Sequence, residues 1–398
     1  MKLSSELLRR ILNVWLLIFV VGSTFSIALT QSALFLAFVF WVWIMILEKK
    51  SLIPRTPFDF YFLAYIVVGI ISLIFSLNPE AMVVVFIKRL LLIPIVYIVA
   101  ANVTDKKFLK ILLTAFVGVT VILSIIGIQK YLAGGGGLEG RLKLYHHYMT
   151  SGGILMIVSL ITFAFAFSDA SLKTRVAALA CGILMLFPLL FTFTRSSWLG
   201  FLCGLVMMGA LQGRKWILGV LILAVAFFVF APLSVKKRAL SVFDPHHPNN
   251  VERTYMWKAG LEMMRDYPLT GVGDMDLGEL YAKYKPPEAK EQHGHLHNNF
   301  IMFGVTLGVP GLVVFLALFI RIFIRELQIY FSVPAREWLL KGVALGSLTA
   351  FVGFQVNGLF EWNFGDAEIA MLLWLTVGLA LAVDRIHRQS RIQEDPGS

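Results

Sequence analysis

Apolar residues in this chain come in runs of roughly 17–25, the length an α-helix needs to cross about 30 Å of hydrocarbon, and polar or Gly/Pro punctuation separates them. The runs predict twelve spanning helices, at 11–29, 32–47, 59–77, 82–101, 108–128, 151–168, 176–194, 197–211, 216–233, 299–320, 338–360 and 367–384. One segment breaks the rhythm. Residues 234–298 have the composition of a soluble region, and segments of that length between two spans usually carry function. The chain thus divides into spans one to nine (1–233), a long loop (234–298), and spans ten to twelve with a tail (299–398).

Composition agrees with this division. The 398 residues are 58% hydrophobic and 15% charged, more apolar side chain than a soluble core of that length can hide. The net charge of +11 follows topology. Lys and Arg gather in one set of connections, such as Lys49, Lys50, Lys106, Lys107, Arg336 and Lys341, and the short connections on the other side hold only Lys130, Arg141, Lys143 and Arg195. Cytoplasmic loops retain positive charge, so both termini are expected in the cytoplasm and the long loop outside. A nucleic-acid footprint would need a basic face on one soluble domain, which this pattern lacks. The first apolar run follows Arg9 and Arg10 and ends without a small-residue cleavage site, which predicts a retained helix. Cys181 and Cys203 both fall in spans, so no disulfide framework is implied. No internal repeat or matched pair of broken helices stands out, which weighs against transport.

Within the long loop, Asn250 to Arg265 predicts a helix with an apolar face of Tyr255, Met256, Ala259, Met263 and Met264, ended by Pro268. A second outer segment, 129–150, opens on the flexible tract Gly134 to Gly137 and continues through Arg141, Lys143, His146 and His147. Gln389 to Ser398 is expected to be disordered.

Four stretches could carry chemistry. Arg195, in Thr194 to Gly200, stands at the outer end of a span, where a cation needs a partner or an anionic ligand. Its planar fork can hold phosphate bidentately; the alternative is an arginine that snorkels to headgroups. Arg253 lies near the start of the loop helix, the end where the dipole disfavours a cation, so a bound anion would resolve the conflict. A salt bridge to Glu252 or Asp274 would also suffice. The stretch Gln292 to Phe300 has three alternating histidines, His293, His295 and His297, directly before a span. Alternation allows a metal site, although no cysteine is near; an imidazole there could equally take a proton from a sugar hydroxyl. Asp274-Met275-Asp276 matches a metal-binding Asp-x-Asp pattern but reads as a loop turn beside Gly271 and Gly273. Lys88, Arg89, Glu361 and Asp366 are further ionisable groups that must face protein, water or headgroups.

Together, Thr194 to Gly200, Arg253 to Gly273, His295 to Gly311 and Phe360 to Leu373 resemble the O-antigen ligase and polymerase superfamily, most closely its ligases. The resemblance implies an all-α, GT-C-like inverting glycosyltransferase in the bacterial inner membrane. It would move a polysaccharide from undecaprenyl diphosphate to the lipid A core oligosaccharide at the periplasmic face, with neither metal nor cofactor. A polymerase would use a second undecaprenyl-diphosphate-linked glycan as acceptor, and a transporter or flippase is the rival from another class. Carried over by motif, Arg195 and Arg253 would bind the diphosphate and His297 would be the base. His295, Lys88, Arg89, Asn298, Arg141 and Glu361 would contribute to binding diphosphate or acceptor.

Overall fold

The computed structural model describes residues 4–137 and 140–394, and every regular element among them is helical. The chain begins with the hairpin α1 (Ser5–Gly22) and α2 (Ile27–Glu48), closed by Arg9 donating to Glu48 at 2.8 Å. Then follow α3 (Asp59–Ile74), α4 (Pro79–Leu90), α5 (Pro94–Asn102), α6 (Lys106–Ala133), α7 (Tyr148–Ala166), α8 (Leu172–Phe191), α9 (Arg195–Gln212) and α10 (Arg214–Phe230). The long loop holds α11 (Leu233–Leu240), α12 (Pro248–Asp266) and α13 (Gly278–Tyr284), and α14 (Asn299–Ser332), α15 (Trp338–Gly358) and α16 (Ala367–Glu394) complete the chain.

Each of the twelve predicted spans falls on one of these helices or, for 82–101, on the pair α4 and α5. Among the described residues, eight helices, counting that pair as one, are long and apolar enough to cross a membrane; α3 is apolar but has only 16 residues. The chain is a multi-pass membrane protein. The disordered tail needs correction, because α16 runs on through Glu394. Its buried turns end just before that tail, with Ile386 and His387 buried and Arg385 Nη1 donating to the Ala101 carbonyl at 2.7 Å, and residues 389–392 continue the helix largely exposed. Residues 395–398 lie outside the described residues.

Helices α7, α15 and α16 form the interior: 89%, 72% and 83% of their apolar windows are buried, against 22% for α8 and 33% for α2. Lipid tails are as apolar as leucine, so spanning helices gain by close backbone approach at small residues. A Cβ on Gly200 would lie 2.5 Å from the Gly353 carbonyl oxygen, which fixes α9 against α15.

Helix α14 is interrupted at Gly308, whose φ of +70° is a left-handed conformation that glycine adopts without strain. Pro310 has no N–H to give Thr306, and the Val309 N–H donates outside the helix, to Pro268 O at 2.8 Å. That frees the carbonyls of Val305 and Thr306. The loop after α12 takes both, Val272 N–H donating to Val305 O at 2.9 Å and Gly273 N–H to Thr306 O at 3.0 Å. In hydrocarbon each unpaired carbonyl would cost several kcal/mol, so this pairing locks the long loop into the bundle. The end of α3 holds the same loop, with Leu77 N–H donating to Val272 O at 3.1 Å.

Candidate active site

Four parts of the chain meet where the long loop rests on the bundle. The first is the corner between α8 and α9. Phe193 turns it with φ +52°, and Arg195, first residue of α9, is buried. Its Nη1 donates to Ser241 O at 2.8 Å and Ser241 Oγ at 3.0 Å, and its Nη2 donates to Asn250 Oδ1 at 2.7 Å. The second part is the end of α11, where Arg238 Nε donates to the Phe193 carbonyl at 3.2 Å.

Helix α12 is the third part and matches the predicted loop helix. It packs on α14 through Gly260, where a Cβ would lie 2.6 Å from both Ile301 and Leu296 side chains, and it carries Arg253. Arg253 Nη2 stands 3.9 Å from Glu361 Oε2. Neither Glu252 nor Asp274 is its partner: the acid comes from the loop between α15 and α16.

The fourth part is the start of α14. Asn298 is the N-cap, its Oδ1 accepting from Phe300 N–H at 2.9 Å and Ile301 N–H at 3.0 Å, while its Nδ2 donates to Leu359 O at 2.9 Å. Asn299 Oδ1 accepts from Asn363 N–H at 2.9 Å. These two asparagines tie the start of α14 to the loop that bears Glu361. His297 just before the cap has φ +47°, a strained region for a non-glycine residue that tends to persist at functional positions. Its Nδ1 is 2.7 Å from Glu361 Oε1, and His295 Nε2 is 3.8 Å from the same oxygen.

Burial opposes charge on Glu361, but nearby His295, the hydrogen bond from His297 and the positive charge of Arg253 hold its carboxyl well below the usual range. An ionised carboxylate only accepts, so His297 donates through Nδ1–H and its Nε2 keeps a lone pair for a proton. This is how a carboxylate orients a histidine base in hydrolytic triads. Burial pushes the Arg253 guanidinium down, and the Glu361 charge only partly offsets this. Arg141, Arg238 and Arg253 all lie close enough to Arg195 for their charges to act on it.

Arg141 stands 4.4 Å over the Tyr148 ring, and its charge reaches His147, the N-cap of α7, as does that of Glu361. Of the expected residues, the structure therefore brings together Arg195, Arg253, His295, His297, Glu361, Arg141 and Asn298, the last with its side chain engaged in capping. Lys88 and Arg89 are not part of this cluster. Lys88 is exposed on α4. Arg89 is taken up by the fold: it pairs with Asp274, donates to the Phe364 carbonyl and stacks 4.8 Å from the Trp362 ring centroid.

His293 stands beside the cluster, its ring edge-on to that of His297 at 5.9 Å and its Nε2 3.3 Å from Glu291. His295, His297 and Glu361 place three ligand-type atoms within 4.8 Å of one another and could hold a metal. As it stands, the 2.7 Å contact is a hydrogen bond, shorter than the roughly 3.3 Å between two ligands of a tetrahedral zinc. Asp274 and Asp276 form no such group: the first pairs with Arg89, and the second accepts from Gly278 N–H at 2.8 Å, closing a turn.

Residues 180–316 match the family model described as O-Antigen ligase. This segment is similar to the O-antigen ligase family. It runs from α8 into α14 and so contains Arg195, Arg253 and His297, with Glu361 supplied from beyond it. Members of the family are glycosyltransferase-like enzymes that use lipid-linked glycans. No curated protein matches the chain.

Sequence reasoning passed over Arg238, Ser241 and Asn250 in this domain. Arg238 belongs to the run Lys236-Lys237-Arg238, which looks like a solvated charge cluster. The available signal was its position at the head of the long loop, directly after an apolar run.

Proposed function

We propose that this protein is an O-antigen ligase that transfers a polysaccharide from undecaprenyl diphosphate to the lipid A core oligosaccharide at the periplasmic face of the bacterial inner membrane. The observation that carries this reading is the 2.7 Å contact of His297 Nδ1 with Glu361, in a cluster otherwise rich in arginine. His297 Nε2 takes the proton from the acceptor hydroxyl as its oxygen attacks the anomeric carbon of the donor sugar. The glycosidic bond to phosphate breaks, and the anomeric centre inverts. Charge grows on the departing diphosphate, where Arg253 and the charge of Arg195 stabilise it; fixed donors serve such charge well because they need no reorganisation. The proton leaves with the base, and no metal or nucleotide enters the reaction. The distribution of basic residues supports cytoplasmic termini and a periplasmic site.

The test is reconstitution of the purified chain with a glycan on undecaprenyl diphosphate, offered either lipid A core or a second lipid-linked glycan. Ligase activity gives product with the first acceptor and undiminished rates in a chelator. Product with the second alone would make the protein a polymerase, and no product with either would remove the glycosyltransferase reading.

A further inference from the structure

The arginines of this cluster are not equivalent. Both Nη groups of Arg195 are already engaged, with Ser241 and Asn250 at 2.7–3.0 Å. Arg195 therefore clamps the end of α11 and the start of α12 onto α9, and its own donors are largely spent. Arg238, one turn before Ser241, is held the other way round. Its Nε is anchored on the Phe193 carbonyl at 3.2 Å, and among the described residues its two Nη groups make no hydrogen bond and no ion pair. An arginine fixed at Nε with both Nη groups free is a preoriented fork, suited to a tetrahedral anion in a way a lysine is not.

Charge points the same way. Burial and the charges of Arg141 and Arg253 all push the Arg238 pKa down, so the guanidinium sits among like charges with no acid of its own. Glu361, the acid paired with Arg253, is also committed to His297. A partly buried cation in that position is costly unless an anion completes it.

We infer that Arg238 directly binds the phosphate groups of a diphosphate ligand, while Arg195 holds the corner that presents it. The inference rests on the diphosphate-donor reading above and refines it. The probe is inorganic pyrophosphate, titrated calorimetrically into the full-length protein in nanodiscs, for wild type, Arg238→Ala, Arg238→Lys and Arg253→Ala, with an unfolding temperature for each. Losing two charge-assisted hydrogen bonds should weaken binding in Arg238→Ala by about tenfold or more at an unchanged unfolding temperature, with Arg238→Lys intermediate. If the alanine variant fails to fold, the lysine variant decides by its smaller weakening, more than about twofold. Wild-type binding that Arg253→Ala loses and both Arg238 variants keep within about twofold, far less than one charged hydrogen bond is worth, would overturn the role of Arg238 alone. A wild type that binds no pyrophosphate would overturn this inference and the diphosphate reading together.

Discussion

The loop Glu361-Trp362-Asn363-Phe364 separates two arginine sites that differ in one respect. On one side Arg89 is closed, paired with Asp274, bonded to Phe364 and stacked on Trp362. On the other, Arg253 is 3.9 Å from Glu361, and Arg141, Arg195 and Arg238 add positive charge that no further acid balances among the described residues. The closed site holds the loop after α12 against α4, next to the break in α14. The open site has charge left over for a ligand. Buried cations therefore sort by whether their charge is already answered: the answered ones serve the fold, and the unanswered ones gather at the candidate site.

The largest effect that would break this comparison is on stability. Arg89→Ala leaves Asp274 buried and unpaired, so unfolding should cost about 3–5 kcal/mol less. Arg253→Ala should cost clearly less, since the pair is long at 3.9 Å and burial of the guanidinium opposes its charge. Chemical denaturation in detergent measures both; equal losses would erase the distinction. A smaller effect concerns the asparagine that positions His297. Asn298→Ala should destabilise by about 1 kcal/mol, the usual worth of an N-cap, and lower turnover more than stability because the Leu359 tether goes too. A variant with full turnover would show that the tether does not position the base.

The smallest effect sharpens the contrast within one loop, through the opposite shifts of its two acids. Glu361 is held low, so its stabilisation is present above the ordinary carboxylate range and is lost as pH falls below it. Asp366 is buried, bonded to Glu368 and pushed up to about 8. The folded chain keeps a proton there that the unfolded chain releases, so this contribution is full below the usual value of 3.8 and is lost as pH rises towards 8. Asp366→Asn cannot titrate, and its unfolding temperature should decline less than wild type across that interval. An unchanged slope would mean that Asp366 is ionised throughout.

The spans were legible because hydrocarbon imposes a length and a composition that hydropathy reports directly. Arg195, His297 and Glu361 were legible for a related reason: each lies at a polar border beside an apolar run, where an ionisable group needs a purpose, whereas Arg253 stood out near the start of the loop helix, where the dipole disfavours a cation. Arg89 looked the same from sequence, since its answer, Asp274, comes from a distant segment brought back by the Gly271-Val272-Gly273 loop. The break at Gly308 had its glycine and proline in view, yet the partners of the freed carbonyls, Val272 and Gly273, exist only once α12 has docked. Arg238 was hidden among neighbouring lysines, because which cation of a basic run turns inward depends on tertiary contact with Phe193.

Most directly, glycan transfer can be measured for His297→Ala with purified protein and saturating lipid-diphosphate donor. Loss of a positioned general base should slow transfer by about 10²–10⁴-fold, while pyrophosphate affinity stays at the wild-type level. Transfer at the wild-type rate would show that the imidazole held by Glu361 takes no part in the chemistry.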